Sequence, residues 1–400
     1  MKRILSAAVL GVLCACAAAQ DSLDERAERI AERAIEFLRT QQHESGGWAV
    51  RDEGPNFPAI TGLAVTGMLL DPEINARDEH VAKGLGYILS HRQDDGGIYD
   101  RVLASYNTAI CLSALALARD DLPEAEQSVE PAVAFLRELQ WGGSANAPAA
   151  LQDEVQPVAR EHPFYGGVGY GSHSRPDNSN LNFWLQALQD AGVPGDDPAV
   201  QRALVFLERT QMNDSTNPMP YAEGSSQGGF IYATSPSSHE HELGIGESKA
   251  GTITESTTAG EEVSRLRAYG SMTYAGFKSY AFAQLERTDP RVLAARKWIA
   301  QNYTIEENPG MGTEGYYYFI LVFGRAMNEW GDKYIDVQHE DMMFRRDWAE
   351  DLVTQLESLQ QADGSFKVVD DRWMEADPVL VTSYSLISLQ NAREALRSRQ

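Results

Sequence analysis

The side chains that could do chemistry are few, and most stand at the starts of apolar segments. Asp177 and Glu314 each precede a strongly apolar run with helical spacing, residues 180–191 and 316–327. A carboxylate in that position either accepts the orphan amides of a helix N terminus or reaches the mouth of whatever the helices enclose. Aromatic residues crowd the same places: Trp184, Tyr269, Tyr274, Tyr280 and the consecutive Tyr316, Tyr317 and Tyr318. Inside a cavity their faces would stabilise a cation through the ring quadrupole. Inside a helix bundle they pack, with hydroxyls reaching polar neighbours. Three consecutive tyrosines on one helix point in three directions, so one of them faces the centre. His239-Glu240-His241-Glu242 is the one dense cluster of metal-ligand types, but it has no Cys partner and lacks the His-Glu-x-x-His spacing. It reads as a solvated loop, and no metal or cofactor is expected. Gly167-Val168-Gly169-Tyr170-Gly171 follows no strand of a βαβ unit, so it is not a nucleotide loop.

The elements that must position these residues are repeated six times. One class of segment ends in a Gln-containing stretch followed by Gly. Gln41-Gln42 leads to Gly46-Gly47-Trp48, Gln93 to Gly96-Gly97, Gln140 to Gly142-Gly143, and Gln211 to Gly228-Gly229-Phe230. Gln301 leads to Gly310-Met311-Gly312, and Gln360 to Gly364-Ser365-Phe366. The preceding stretches are amphipathic helices: Val200, Leu204 and Leu207 recur at helical spacing behind Asp197-Pro198, an N-cap with proline at the first helical position. Asp289-Pro290 does the same. A second class of segment follows each glycine signal and is apolar nearly all round: residues 61–70, 108–118, 180–191, 270–285, 316–327 and 381–391. Helices of that kind are buried. Six amphipathic helices alternating with six buried ones predict an all-α (α/α)6 toroid, with the buried helices as the inner ring. It occupies residues 20–400 as one domain, broken by long insertions at about 144–176 and 233–262, which would lie over one mouth of the central cavity.

Hydrophobic content of 43% with 23% charged residues is that of a globular chain rather than a disordered one. A net charge of −24 repels nucleic acid and anionic membrane surfaces, so neither is an expected partner. Lys2 and Arg3, an apolar run and Ala17-Ala18-Ala19 read as an export signal over residues 1–19, and no transmembrane span is expected once it is cleaved. The expected location is the periplasm or the exterior. Leu13-Cys14-Ala15-Cys16 loosely resembles a lipobox, which would place a lipid on Cys16. Cleavage after Ala19 leaves Cys111 alone, in the apolar helical run 109–115, so the fold has no disulfide and the thiol reads as buried and inert.

The segments Gln42-His43-Glu44-Ser45-Gly46-Gly47-Trp48 and Gln360-Gln361-Ala362-Asp363-Gly364-Ser365-Phe366 resemble the Gln…Gly…aromatic repeats of the squalene cyclases and of protein prenyltransferase β-subunits. Tyr269 to Gly276 and Glu307 to Gly312 resemble a branch of exported bacterial repeat proteins with no assigned reaction. The cyclase resemblance implies a D-x-D-D-T-A-like run whose middle Asp protonates an alkene or epoxide. The nearest equivalent is Asp177-Asn178-Ser179-Asn180, with Ser179 at the acid's place, and a hydroxyl is too weak an acid for that step. The prenyltransferase resemblance implies a zinc held by Asp, Cys and His, and Asn107 stands where the His would be sought. The weak catalytic candidates are therefore Asp177 and Glu314, with Trp184, Tyr269, Tyr274, Tyr316 and Tyr317 lining a cavity for an apolar isoprenoid-like ligand. Two alternatives stand beside that reading: a non-catalytic scaffold toroid, and a carbohydrate-active hydrolase or lyase using paired carboxylates.

Overall fold

A computed structural model describes residues 21–48, 57–143, 158–171, 175–236, 244–256 and 260–399. The expected leader, with Cys14 and Cys16, and the His239–Glu242 cluster lie outside the described residues. The described chain forms twelve helices in six consecutive pairs. They are α1 (Leu23–Thr40) and α2 (Pro58–Leu69), α3 (Glu79–Leu89) and α4 (Ala104–Ala118), α5 (Pro123–Glu138) and α6 (Asn178–Asp190). Then come α7 (Pro198–Thr210) and α8 (Gly270–Phe282), α9 (Pro290–Asn302) and α10 (Tyr316–Trp330), α11 (Trp348–Leu359) and α12 (Pro378–Arg397).

Odd-numbered helices are outer and even-numbered helices inner. In α1 the buried residues are Ala27, Ile30, Ala31, Ala34, Ile35, Phe37 and Leu38, a stripe at helical spacing with charges opposite it. In α4 every residue but Tyr106 and Leu117 is buried. The even helices touch in the cycle α2, α4, α6, α8, α10, α12 and back to α2, so the inner ring is closed. Asp78, Asp197, Asp289 and Asp347 cap outer helices, each carboxylate accepting first-turn amides. The expected Asp-Pro starts of α7 and α9 are observed.

The repeat glutamines join neighbouring outer helices. The side-chain amide of Gln42 donates to Gly46 O of its own turn and to His80 O of α3, both at 2.8 Å. Gln140 does the same with Gly166 and Ala199, and Gln211 with Gly228 and Arg291. Gln360 bonds Gly364 and Ile30 of α1, closing the outer ring. Gly46, Gly166, Gly228 and Gly364 all have φ between +84° and +93°, and a Cβ at each would strike a main-chain carbonyl of the next outer helix. Only glycine meets both demands. The third copy is thus corrected: the glycine that answers Gln140 is Gly166, not Gly142, because the insertion falls inside the turn and displaces the glycine pair along the chain.

Among the described residues, three two-stranded antiparallel sheets decorate the ring. β1 (Ala233–Ser235) pairs with β2 (Ile245–Glu247), and β3 (Thr252–Ser256) with β4 (Glu262–Leu266), so the second insertion is partly a pair of hairpins. β5 (Tyr334–His339) and β6 (Met342–Asp347) form a hairpin between α10 and α11 that the repeat pattern does not foretell. Its short alternating strands hide between two helical repeats, and its turn holds Glu340 at φ 53° without the usual glycine.

Candidate functional site

The N-terminal ends of the inner helices surround a cavity of about 240 Å³. Every inner helix or its entry contributes: Phe57 and Ile60, Leu103 and Tyr106, Ser179 and Phe183, Tyr269 and Met272, Tyr318, Leu380 and Tyr384. The insertions add Tyr170 and Lys249, with Tyr232 just ahead of β1, and the turn before α12 adds Trp373, Met374 and Glu375. Tyr170 and Lys249 thus bring part of each insertion to the cavity.

The walls are aromatic. Tyr106 packs edge-on against Phe183 with centroids 5.3 Å apart, Phe183 contacts Tyr318 at 5.8 Å, and Tyr318 contacts Tyr384 edge-on at 6.2 Å. Burial pushes the phenols of Tyr106, Tyr269, Tyr318 and Tyr384 above their ordinary range, so all stay neutral. At the rim, Lys249 Nζ stands 4.6 Å from the centroid of Tyr232 and pairs with Glu247, which also takes Arg175.

Besides Glu247 at the rim, two carboxylates among the described residues approach the cavity, and both are engaged. Asp177 is the N-cap of α6: its oxygens accept from Asn180 N at 3.0 Å and Asn180 Nδ2 at 2.7 Å. Burial pushes its carboxyl up, against the hydrogen bonds from Asn180 and Tyr232 that pull it down. It stands behind the wall, outside the cavity lining. Glu375 was not singled out from the sequence. It is 1% exposed and accepts from the amides of Tyr317 at 3.0 Å and Tyr318 at 2.8 Å, at the N terminus of α10. Burial raises its pKa to about 7. Trp373 and Met374, at φ 55° and 69°, hold the left-handed turn that brings it in. No spacing rule marks such a residue, because its partner amides lie almost sixty positions away in the chain.

The remaining sequence candidates disperse. Tyr269 lines the cavity. Trp184 points outward, its Nε1 donating to Leu136 O of α5 at 2.9 Å. Tyr274 packs edge-on to Phe319 and Phe323 with its hydroxyl unpartnered. Tyr316 bonds Ile305 O and Gln355, and Tyr317 donates to Lys367 O, so of the three consecutive tyrosines Tyr318 is the one at the cavity. Glu314 pairs with Arg372 at the surface, beside the cavity rather than in it. Ser179, at the acid's place, does line the cavity. Among the described residues no group of His, Cys, Asp and Glu suits a metal ion, and no helix is long and apolar enough to cross a membrane.

No protein-family model matches the chain. It is 26% identical over 167 residues to a squalene–hopene cyclase of Zymomonas mobilis, a match spanning 36% of this chain and about a quarter (25%) of that enzyme. A substituted form of the type II terpene cyclase MstE from Scytonema, in complex with geranylgeranyl dihydroxybenzoate, superposes with a TM-score of 0.52 and 13% identity, covering 93% of this chain and 99% of that one. The GH76A α-1,6-mannanase from Salegentibacter superposes with a TM-score of 0.54 and 9% identity, covering 94% and 100%. These superpositions show the fold, the (α/α)6 toroid, and the repeat resemblance to the terpene cyclase superfamily is matched in sequence by the squalene–hopene cyclase stretch.

Proposed function

We propose that this chain is an exported toroid that holds an apolar, isoprenoid-like molecule in the aromatic cavity without protonating it. Export rests on the leader alone. The observation that carries the reading is the cavity wall: tyrosine, phenylalanine, leucine, isoleucine and methionine side chains enclose it, and its one carboxyl is spent on two backbone amides. Alkene protonation needs a strong acid aimed at the double bond, whereas Glu375 titrates near 7 and Ser179 is a hydroxyl. A volume of about 240 Å³ lies below the roughly 300–1,000 Å³ of drug-sized sites and suits a few isoprene units rather than a triterpene.

The mannanase-like superposition supports the carbohydrate reading as a second one, and that reading needs two carboxylates free to act on a sugar. Among the described residues, Asp177 and Glu375 are helix caps and Glu247 is held in ion pairs with Arg175 and Lys249. The discriminating experiment is calorimetric titration of the purified protein with farnesol and with α-1,6-mannotetraose. Farnesol binding in the micromolar range, weakened at least tenfold by the cavity-filling Ser179→Trp, is the expected result. Binding of the sugar alone would replace the proposal with the carbohydrate reading, and binding of neither would leave the scaffold alternative.

A further inference from the structure

The inner ring carries a second polar layer below the cavity. Three inner helices place a cavity-lining residue and, seven positions on, a polar one: Ser179 and Gln186 on α6, Ser271 and Lys278 on α8, Tyr318 and Arg325 on α10. Seven residues are two turns, so this layer lies about 10 Å beneath the cavity on the same face of each helix. Lys278 is 1% exposed and Arg325 7%. Lys278 Nζ donates to Gln186 Oε1 at 2.7 Å, and Gln186 Nε2 donates to Asp190 Oδ1 at 2.8 Å. Arg325 makes no hydrogen bond or ion pair to a described residue, and Lys278 forms no ion pair with one.

Two like charges buried side by side repel each other, and burial disfavours both. The C-terminal ends of the inner helices, together with Asp190 and Glu329, favour positive charge there in a diffuse way. They do not supply a paired acceptor, which is what a buried cation requires. Tyr318 and Tyr384, which belong to the cavity wall, stand near enough to bear on the Arg325 guanidinium, so the layer and the cavity are neighbours. Between them, Asn182 donates to Tyr318 Oη at 3.3 Å and keeps a buried side-chain oxygen without a partner.

We propose that the cavity's ligand is an amphipathic acid, its apolar chain among the tyrosines and its carboxylate or phosphate head taken by Arg325 and Lys278. The proposal rests on the apolar-ligand reading of the cavity and adds the head group. A planar guanidinium matches a carboxylate or phosphate fork, and the ammonium supplies a second, mobile donor. An alcohol of the same chain length would leave both cations unmet, so the layer selects the acid.

The test is calorimetric titration at pH 6 with farnesoic acid, farnesyl phosphate and farnesol, on the wild type and on Lys278→Met and Arg325→Met. The expected result is that one of the two anionic ligands binds at least tenfold tighter than farnesol, the two separating carboxylate from phosphate. Each variant should remove most of that preference while farnesol affinity stays within twofold. The wild-type preference should also shrink between pH 6 and pH 9 as Lys278, held near 7, loses its proton, a readout that needs no variant. Equal binding of acid and alcohol, or a preference that survives both substitutions, overturns the head-group assignment and leaves the cavity reading standing. Failure of all three ligands overturns both.

Discussion

Gln360, at the end of α11, donates its side-chain amide to the main-chain carbonyl of Ile30 in α1 across 2.8 Å, and so fastens the last repeat to the first. The same amide also holds Gly364 O of its own turn. Gln360→Ala removes both bonds at the seam and should cost about 1–2 kcal/mol. Gln93 bonds only within its own turn, to His91 O and Tyr99 O, so Gln93→Ala should cost clearly less. Urea midpoints of the two variants measure the difference, and equal losses would remove the seam from the account.

Glycines separate into two groups that substitution should expose. Gly364 has φ +93° and faces Arg33 O of α1, so Gly364→Ala should destabilise strongly or prevent folding. Gly86 lies in α3 with nothing within 4 Å of an added Cβ, so Gly86→Ala should stabilise by about 0.5–1 kcal/mol. Thermal melts check both signs.

Stability should depend on Glu375 in one pH window. Its carboxyl titrates near 7 in the folded protein, against 4.5 for an exposed one. Between those values the folded chain holds a proton that the unfolded chain releases, so stability falls as pH rises and the full penalty applies above 7. Burial is the main cause, Asp370 adds to it, and the first amides of α10 oppose it. Glu375→Gln should therefore gain on the order of 3 kcal/mol above pH 7 and little below pH 4.5, read from melts at pH 4.5 and pH 8.

Lys278 has the opposite dependence. Its folded pKa is lowered from 10.5 to about 7 by burial, with Arg325 adding and Asp190 and Glu329 opposing. From 7 to 10.5 the unfolded chain is the more protonated, so stability rises with pH there and the burial penalty is complete below 7. Lys278→Met should raise the melting temperature at pH 6 and have a diminishing effect towards pH 10. A larger gain at pH 10 than at pH 6 would contradict the assignment.

Trp184 and Tyr269 should part company in a binding assay. Trp184→Phe removes the indole bond to Leu136 O and should cost about 1–3 kcal/mol of stability with farnesol affinity unchanged. Tyr269→Ala opens the cavity wall and should weaken farnesol binding at least tenfold. Titration and melting of both variants decide.

The ring was legible because each helix must be buried on one side or on all sides, and that requirement writes itself into spacing, as in α1 and α4. Gln42, Gln211 and Gln360 were visible as a pattern, although the carbonyls they clasp belong to other repeats. Gln140 misled because Gly142 stood nearer in the chain than Gly166, and chain distance says nothing about an insertion folded out of the way. The site was less legible. Position on an apolar helix does not say which face meets the axis, so Trp184, Tyr274, Tyr316 and Tyr317 read the same as Tyr269 and Tyr318. Glu375 depends on the amides of Tyr317 and Tyr318, which only the packing of one repeat on the next brings near.

The seam has a consequence for the order of events during synthesis. α1 leaves the ribosome before α11 and α12, yet its apolar stripe packs chiefly against those two helices. The growing chain therefore carries an uncovered greasy ridge through five repeats of translation, an invitation to wrong partners. Charges on its exposed side, Glu25, Arg29, Glu32 and Glu36, keep that ridge in solution while it waits. An early stop before α11 would leave a crescent with two sticky ends, a species expected to polymerise end to end.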